Sequence, residues 1–477
     1  MIEKRDFYIN GAWVAPRAGS DFNVIDPSNE DPCAVISLGG QADTDAAVAA
    51  ARAAFPAWYA TSLDKRIELG RAILAAYQAR REEMAEAISL EMGAPIELAR
   101  EQQMPLGESH IKAAIRAAEN FAFQRPLGNH APKTQIRYEP IGVCGLITPW
   151  NWPMNQIALK VMPALLSGCT SILKPSEIAP LSAMLFAEIL HEAGTPAGVF
   201  NLVNGDGPGV GTQLSGHPDI EMISFTGSSR AGIAITKNAA DTLKRVTLEL
   251  GGKGANIVFA DADADAVTRG VIHCMNNAGQ SCSAPTRMLV ERSRYDAAVE
   301  EAAKCADAMT YGQSGDVDHN MGPAVSEAQF GKIQDLIQAG ISEGARLVAG
   351  GTGRPTGMNL GYYCRATVFA DVANDMRIAR EEIFGPVLSM IPFDSEEEAI
   401  QIANETDYGL SNYVQSEDPE KRNRVAIQLR SGTVEMNGMP RGSGCAFGGM
   451  KISGNGREGG VWGLEDFLEV KAVSGWG

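Results

Sequence analysis

A run of short apolar segments, spaced by helix-length stretches between residues 141 and 250, constrains this chain most. Residues 141–147, 171–175, 199–203 and 222–226 each read as a buried strand, and a helix is expected over 181–193. Strands that are apolar on both faces and alternate with helices pack as a parallel, doubly wound α/β sheet, because the crossover helices cover both faces. The alternation restarts after Glu249, with strand-like segments at 255–259, 288–290, 346–349 and 433–436. A second α/β unit is therefore expected over about 251–440. A chain of 477 residues is too long for one ordinary core, so two or three domains are expected.

Other segments fit around these units. Phe7 to Val14 reads as a hairpin turning at Asn10-Gly11. Residues 43–55 form an Ala-rich helix with a cap expected at Asp43 or Asp45, and 62–92 holds two more helices. Residues 121–139 and 468–473 fit neither unit and read as edge ribbons or as an arm that pairs with another subunit.

Composition excludes several function classes. With 58 acidic against 41 basic residues the formal charge is −17, which argues against nucleic-acid binding. The N-terminus has no hydrophobic signal segment, and no run of about 18 apolar residues exists to span a membrane. Eight scattered cysteines without a CxxC pair read as reduced thiols, so a cytoplasmic protein is expected. Six dispersed histidines offer no metal cluster.

Two glycine motifs are poor phosphate cradles. Gly205-Asp206-Gly207-Pro208-Gly209-Val210-Gly211 follows a strand but has Val210 where a dinucleotide fingerprint needs Gly or Ala, which leaves a tight turn equally open. Gly251-Gly252-Lys253-Gly254 lacks the hydroxyl residue after the lysine and the spacing of a phosphate loop.

The chemistry lies elsewhere. Cys282 sits in Gly279-Gln280-Ser281-Cys282-Ser283-Ala284-Pro285, whose small flanks let a substrate approach a thiol. A thiolate is the natural soft nucleophile for an aldehyde carbon. Glu249, in Leu248-Glu249-Leu250-Gly251-Gly252-Lys253, is a candidate base. Asn151, in Thr148-Pro149-Trp150-Asn151-Trp152-Pro153, offers an amide for a developing oxyanion.

Together with Leu173-Lys-Pro-Ser-Glu177, Phe225-Thr-Gly-Ser228, Glu381-Glu-Ile-Phe-Gly-Pro-Val387, Phe447-Gly-Gly-Met-Lys451 and Ser453-Gly-Asn-Gly-Arg-Glu458, these motifs run in order along nearly the whole chain. In this the chain resembles the NAD(P)-dependent aldehyde dehydrogenase superfamily, in its non-acylating, hydrolytic branch. The resemblance implies a Rossmann-type cofactor domain (1–120 and 141–250), an α/β catalytic domain (251–440) and a small β oligomerisation arm (121–140 and 465–477). Residues 441–464 would return to the cofactor side. It implies oxidation of an aldehyde to the acid through a thiohemiacetal and thioester on Cys282. Asn151 and the Cys282 backbone N–H would hold the oxyanion, Glu249 would activate water, and Lys160 and Glu458 would relay protons.

For the cofactor, the resemblance implies contacts from Ile147, Trp150, Lys174, Ser176, Glu177, Gly207, Gly211, Thr226, Gly227, Ser228, Leu250, Glu382 and Phe384. NAD is expected over NADP, because a carboxylate beside the ribose repels a 2′-phosphate. It also implies a homodimer or homotetramer. The substrate pocket is expected from Trp152, Met154, Ser281, Arg441 and Phe447, which suit a medium-sized hydrophobic aldehyde; Arg441 is a candidate partner for a distal carboxylate. Departures such as Ala446 for a usual Pro, Trp152 for a frequent Phe and a short glycine-rich 438–446 loop leave the substrate open. The rivals are a CoA-acylating enzyme, which commonly lacks a glutamate at Glu249, and a non-catalytic protein on the same fold.

Overall fold

The buried strands expected from residue 141 onward form the middle of an eight-stranded sheet. The computed structural model describes residues 1–17, 19–313, 316 and 319–477. In it Arg245–Glu249, Met222–Thr226, Val143–Ile147, Thr170–Lys174 and Phe200–Leu202 lie side by side and parallel. The last four are buried at every position, as strands covered by helices on both faces are.

The chain leaves Val143–Ile147 in one direction through Thr170–Lys174 and Phe200–Leu202. It then returns to the other side with Met222–Thr226, so that Phe225 pairs with Ile147. At that reversal the two connections diverge from the strand ends, and a doubly wound sheet opens a crevice there. The Pro153–Ser167 helix packs behind it, with Pro153 at its first turn and Gly168 closing it at φ 99°. Every residue of this helix is buried except Asn155.

A seven-stranded sheet makes the second unit, in the order Arg346–Ala349, Thr367–Ala370, Val387–Phe393, Arg287–Glu291, Ala255–Val258, Ser411–Gln415, Thr433–Met436. All its pairings are parallel except that of Arg346–Ala349. The polypeptide then returns to the first sheet, where Gly454–Asn455 pairs antiparallel beside Leu248 and Glu249. That return brings the C-terminal motifs to the strand end that carries Glu249.

The segments that fit neither unit do form a ribbon: Gln124–Pro126, Thr134–Pro140 and Leu468–Ser474 pair antiparallel. The N-terminal hairpin turns at Asn10 (φ 52°) and Gly11 (φ 79°), the left-handed pair of a type I′ turn. The expected helix cap is corrected. The helix runs Gln41–Tyr59 with Gly40 as its cap, and Asp43 sits three residues in, where its Oδ2 accepts from Gly40 N–H at 3.0 Å. Among the described residues no helix is long and apolar enough to cross a membrane.

Candidate active site

Cys282 lies on the loop that enters Arg287–Glu291, held by a left-handed kink at Asn277 and Ala278 (both φ 54°). Non-glycine residues adopt that conformation only where their surroundings fix it, and here they do. Asn277 Nδ2 donates to Asn151 O at 2.9 Å, and Gln103 Nε2 donates to Asn277 Oδ1 at 3.2 Å. Gln280 spans to the next segment, its Oε1 accepting from Val325 N–H at 2.9 Å and its Nε2 donating to Pro323 O at 3.2 Å. The other side is equally tight: a Cβ on Gly252 would stand 2.4 Å from the Cys282 carbonyl. The nucleophile loop is thus clamped on both sides.

Two cavities meet at this cysteine. The inner one, about 190 Å³, is lined by Trp150, Asn151, Thr226, Gly227, Ser228, Glu249, Leu250, Glu382 and Phe384 among others. The outer one, about 380 Å³, is lined by Trp152, Leu159, Ser281, Arg441 and Phe447 among others. Cys282 lines both. Burial, then the nearby Glu382 and Glu249 carboxylates, push its thiol up to about 12.

Asn151 Nδ2 donates to Gln280 O at 3.0 Å. An amide nitrogen carries two hydrogens, so one remains for the cavity that Asn151 lines. Glu249 ends its strand 3 % exposed, with neither carboxylate oxygen hydrogen-bonded among the described residues. Burial, and next the negative charge of Glu458, hold its pKa well above the carboxylate range. A Cβ on Gly448 would sit 2.4 Å from Glu249 Oε1, so only glycine leaves this carboxylate its place. Lys160 Nζ donates to Thr226 Oγ1 at 2.7 Å and to Glu458 Oε1, a buried pair behind Glu249.

The residues expected around a cofactor fall into two groups at neighbouring strand ends. Trp150, Thr226, Gly227, Ser228, Leu250, Glu382 and Phe384 line the inner cavity. Glu382 Oε1 accepts from Gly252 N–H at 2.8 Å, and Phe384 (φ 57°) meets Trp150 edge-on at 5.4 Å. Ser228 caps the Ser229–Ala239 helix, accepting from Ala231 N–H at 3.3 Å. The second group surrounds Lys174, whose Nζ donates to Gly205 O at 2.5 Å and Pro175 O at 2.9 Å and lies 3.5 Å from Glu177. Gly207–Gly211 wraps past it as a short π-turn, with Asp206 Oδ1 accepting from Gly209 N–H. Ser176 Oγ accepts from Ile178 N–H at 3.3 Å. Ile147 is buried at the end of its strand, paired with Lys174.

The chain matches the model of the Aldehyde dehydrogenase family over residues 13–473. The chain belongs to this family. It is an aldehyde-oxidising oxidoreductase. It is 51 % identical to 3-succinoylsemialdehyde-pyridine dehydrogenase of a Pseudomonas species, over 100 % of this chain and 99 % of that protein. Among solved structures it superposes on an aldehyde dehydrogenase from Bartonella henselae with TM-score 0.98 and 59 % identity, over 99 % of this chain and 100 % of that one. A mutant of aldehyde dehydrogenase C from Pseudomonas syringae, in complex with NAD+ and octanal, matches with TM-score 0.97 and 50 % identity, over 99 % and 97 % of the two chains.

One expected pocket residue is misplaced. Met154 is fully buried in the core of the first unit and lines neither cavity. Successive helical residues point about 100° apart, so Asn155, Gln156 and Leu159 face the enzyme's cavity while Met154, Ile157 and Ala158 face the core. Arg441 does line the outer cavity but is not a free cation. Its Nε stands 2.8 Å from Glu435 Oε1 in an ion pair, and its guanidinium lies 4.6 Å over the Phe447 ring. His110, Asn155, Gln156, His273 and Glu435 were not legible as pocket residues. His110 Nε2 donates to Asn155 Oδ1 at 2.7 Å, and burial holds both His110 and His273 down at about 4, hence neutral.

Proposed function

We propose that Cys282 attacks the aldehyde carbon and that Glu249 later activates the water that frees the acid. The observation that carries this reading is the position of Cys282 at the meeting of two cavities, with Glu249 lining only the inner one. The aldehyde enters from the outer side. The remaining Asn151 N–H and the Cys282 backbone N–H, which has no hydrogen-bond partner among the described residues, stabilise the oxyanion.

The residues fit a nicotinamide dinucleotide. Thr226, Gly227 and Ser228 stand at the start of a helix whose free N–H groups favour a pyrophosphate. The unbonded oxygen of Glu382 lies where a Cβ on Gly251 would be only 2.3 Å away, so the glycine leaves it open to a ribose hydroxyl. When bound, the dinucleotide supplies the hydride acceptor that turns the Cys282 adduct into a thioester. Glu177, beside Lys174 at the next strand end, accepts from a 2′-hydroxyl and repels a 2′-phosphate, so NAD is preferred to NADP. Residues 1–120 with 141–250 thus form the cofactor domain and 251–440 the catalytic one. Lys160 and Glu458 carry the proton away from Glu249.

The apolar walls Trp152, Leu106, Leu159 and Phe447 favour a medium-sized hydrophobic aldehyde, in keeping with the octanal of the Pseudomonas syringae neighbour. The 124–140 and 468–474 ribbon, which exposes Val470 and Leu127, joins subunits into a homodimer or homotetramer.

The mechanism is tested with Glu249→Gln. Given NAD+ and octanal, this variant accumulates octanoyl-Cys282, seen as added intact mass. A Glu249→Gln protein that turns over like wild type contradicts Glu249 as the base.

A further inference from the structure

Among the described residues only Cys282 and Gln156 line both cavities. Gln156 belongs to the Pro153–Ser167 helix and is 2 % exposed, yet its side-chain amide has no hydrogen-bond partner among the described residues. Buried amides are as a rule satisfied, and one left open toward a cavity beside a nucleophile is satisfied by what occupies that cavity. Gln156 also stands four residues before Lys160, on the same helix face. Lys160 pairs with Glu458, whose charge acts on Glu249, and Gln156, Glu249 and Cys282 line the same inner cavity.

We propose that Gln156 holds the hydrolytic water. The inference rests on the thioester reading above and adds the group that aims the nucleophile. One water O–H donates to Gln156 Oε1. The other gives its proton to the Glu249 carboxylate as the water oxygen bonds to the thioester carbonyl carbon. The tetrahedral intermediate then breaks its C–S bond, releasing the carboxylic acid and Cys282 as thiolate. Gln156 takes no part in the addition of Cys282 to the aldehyde, so its loss slows the second half of the cycle alone.

The test is stopped-flow NADH formation from octanal and NAD+ with full-length wild type and Gln156→Met, which keeps the length and removes both hydrogen-bonding atoms. Gln156→Met is expected to give a burst of one NADH per active site at a rate within about three-fold of wild type, then a steady rate at least roughly ten-fold lower. Added hydroxylamine, which attacks the thioester without needing a positioned water, is expected to restore the steady rate of Gln156→Met. Should that variant fail to fold, Gln156→Leu takes its place in the same assay. A burst that slows in parallel with the steady rate would assign Gln156 to the oxyanion or the addition step and overturn the proposal, as would two unchanged rates. A wild type that makes no NADH from any aldehyde would instead overturn the oxidation reading itself.

Discussion

Arg441 Nε forms an ion pair with Glu435 Oε1 at 2.8 Å, so the one arginine among the described residues in the wall of the outer cavity meets the substrate already paired. A carboxylated aldehyde gains little from a cation whose charge is spent on a half-buried carboxylate. Glu435→Gln removes that competitor. It is predicted to raise kcat/KM for a carboxylated semialdehyde by about ten-fold over octanal, whereas Arg441→Ala leaves the ratio within about two-fold. Steady-state kinetics on the two aldehydes reads both outcomes.

Asn151 uses one amide hydrogen to hold Gln280 O and keeps one for the cavity. Asn151→Ala is predicted to lower kcat roughly 10²–10³-fold, the cost of losing one oxyanion donor. Circular dichroism of the variant checks that the fold survives.

The thiol of free Cys282 is pushed up to about 12 by burial and by the carboxylates of Glu382 and Glu249, and Glu249 is itself held high by burial. Both groups act in their ionised forms, and a raised pKa means that each ionises only as pH rises. The kcat/KM profile is therefore predicted to climb from pH 6 with its ascending limb extending beyond about pH 8. Iodoacetamide labelling of Cys282, followed by mass spectrometry, is predicted to accelerate over the same range. A plateau in both from about pH 6 would contradict the raised thiol.

Lys160 and Glu458 form a buried ion pair, with side chains 0 % and 9 % exposed. Lys160→Met leaves Glu458 buried without its cation and is predicted to cost about 3–5 kcal/mol, whereas Lys160→Met with Glu458→Leu recovers much of that loss. Urea unfolding of the single and double variants measures the difference.

The central strands of the first sheet are legible because parallel strands buried on both faces leave unbroken apolar runs, as Val143–Ile147 does. Ser411–Gln415 is just as buried but reads Ser-Asn-Tyr-Val-Gln, and its polar side chains find partners far along the chain, as Ser411 does with Thr433 Oγ1 at 2.8 Å and Tyr413 with Ser283 O at 2.6 Å. Nothing local marks it as a strand. Ser20–Ile25 is hidden likewise, since it pairs with Pro32–Leu38 while keeping polar residues on its open face. At the site, Cys282, Glu249 and Asn151 stand in glycine-, proline- and tryptophan-rich motifs that chemistry makes conspicuous. His110, Gln156 and Glu435 come from two helices and a strand, with ordinary neighbours, and only the packing brings them to one cavity. Met154 is misjudged because adjacency to Trp152 says nothing of which way a helix turns.

The most direct measurement is absorbance at 340 nm with octanal and NAD+, for the wild type and Cys282→Ala. NADH formation by the wild type that disappears in Cys282→Ala is the predicted result. Undiminished NADH formation by Cys282→Ala would contradict a covalent path through this thiol.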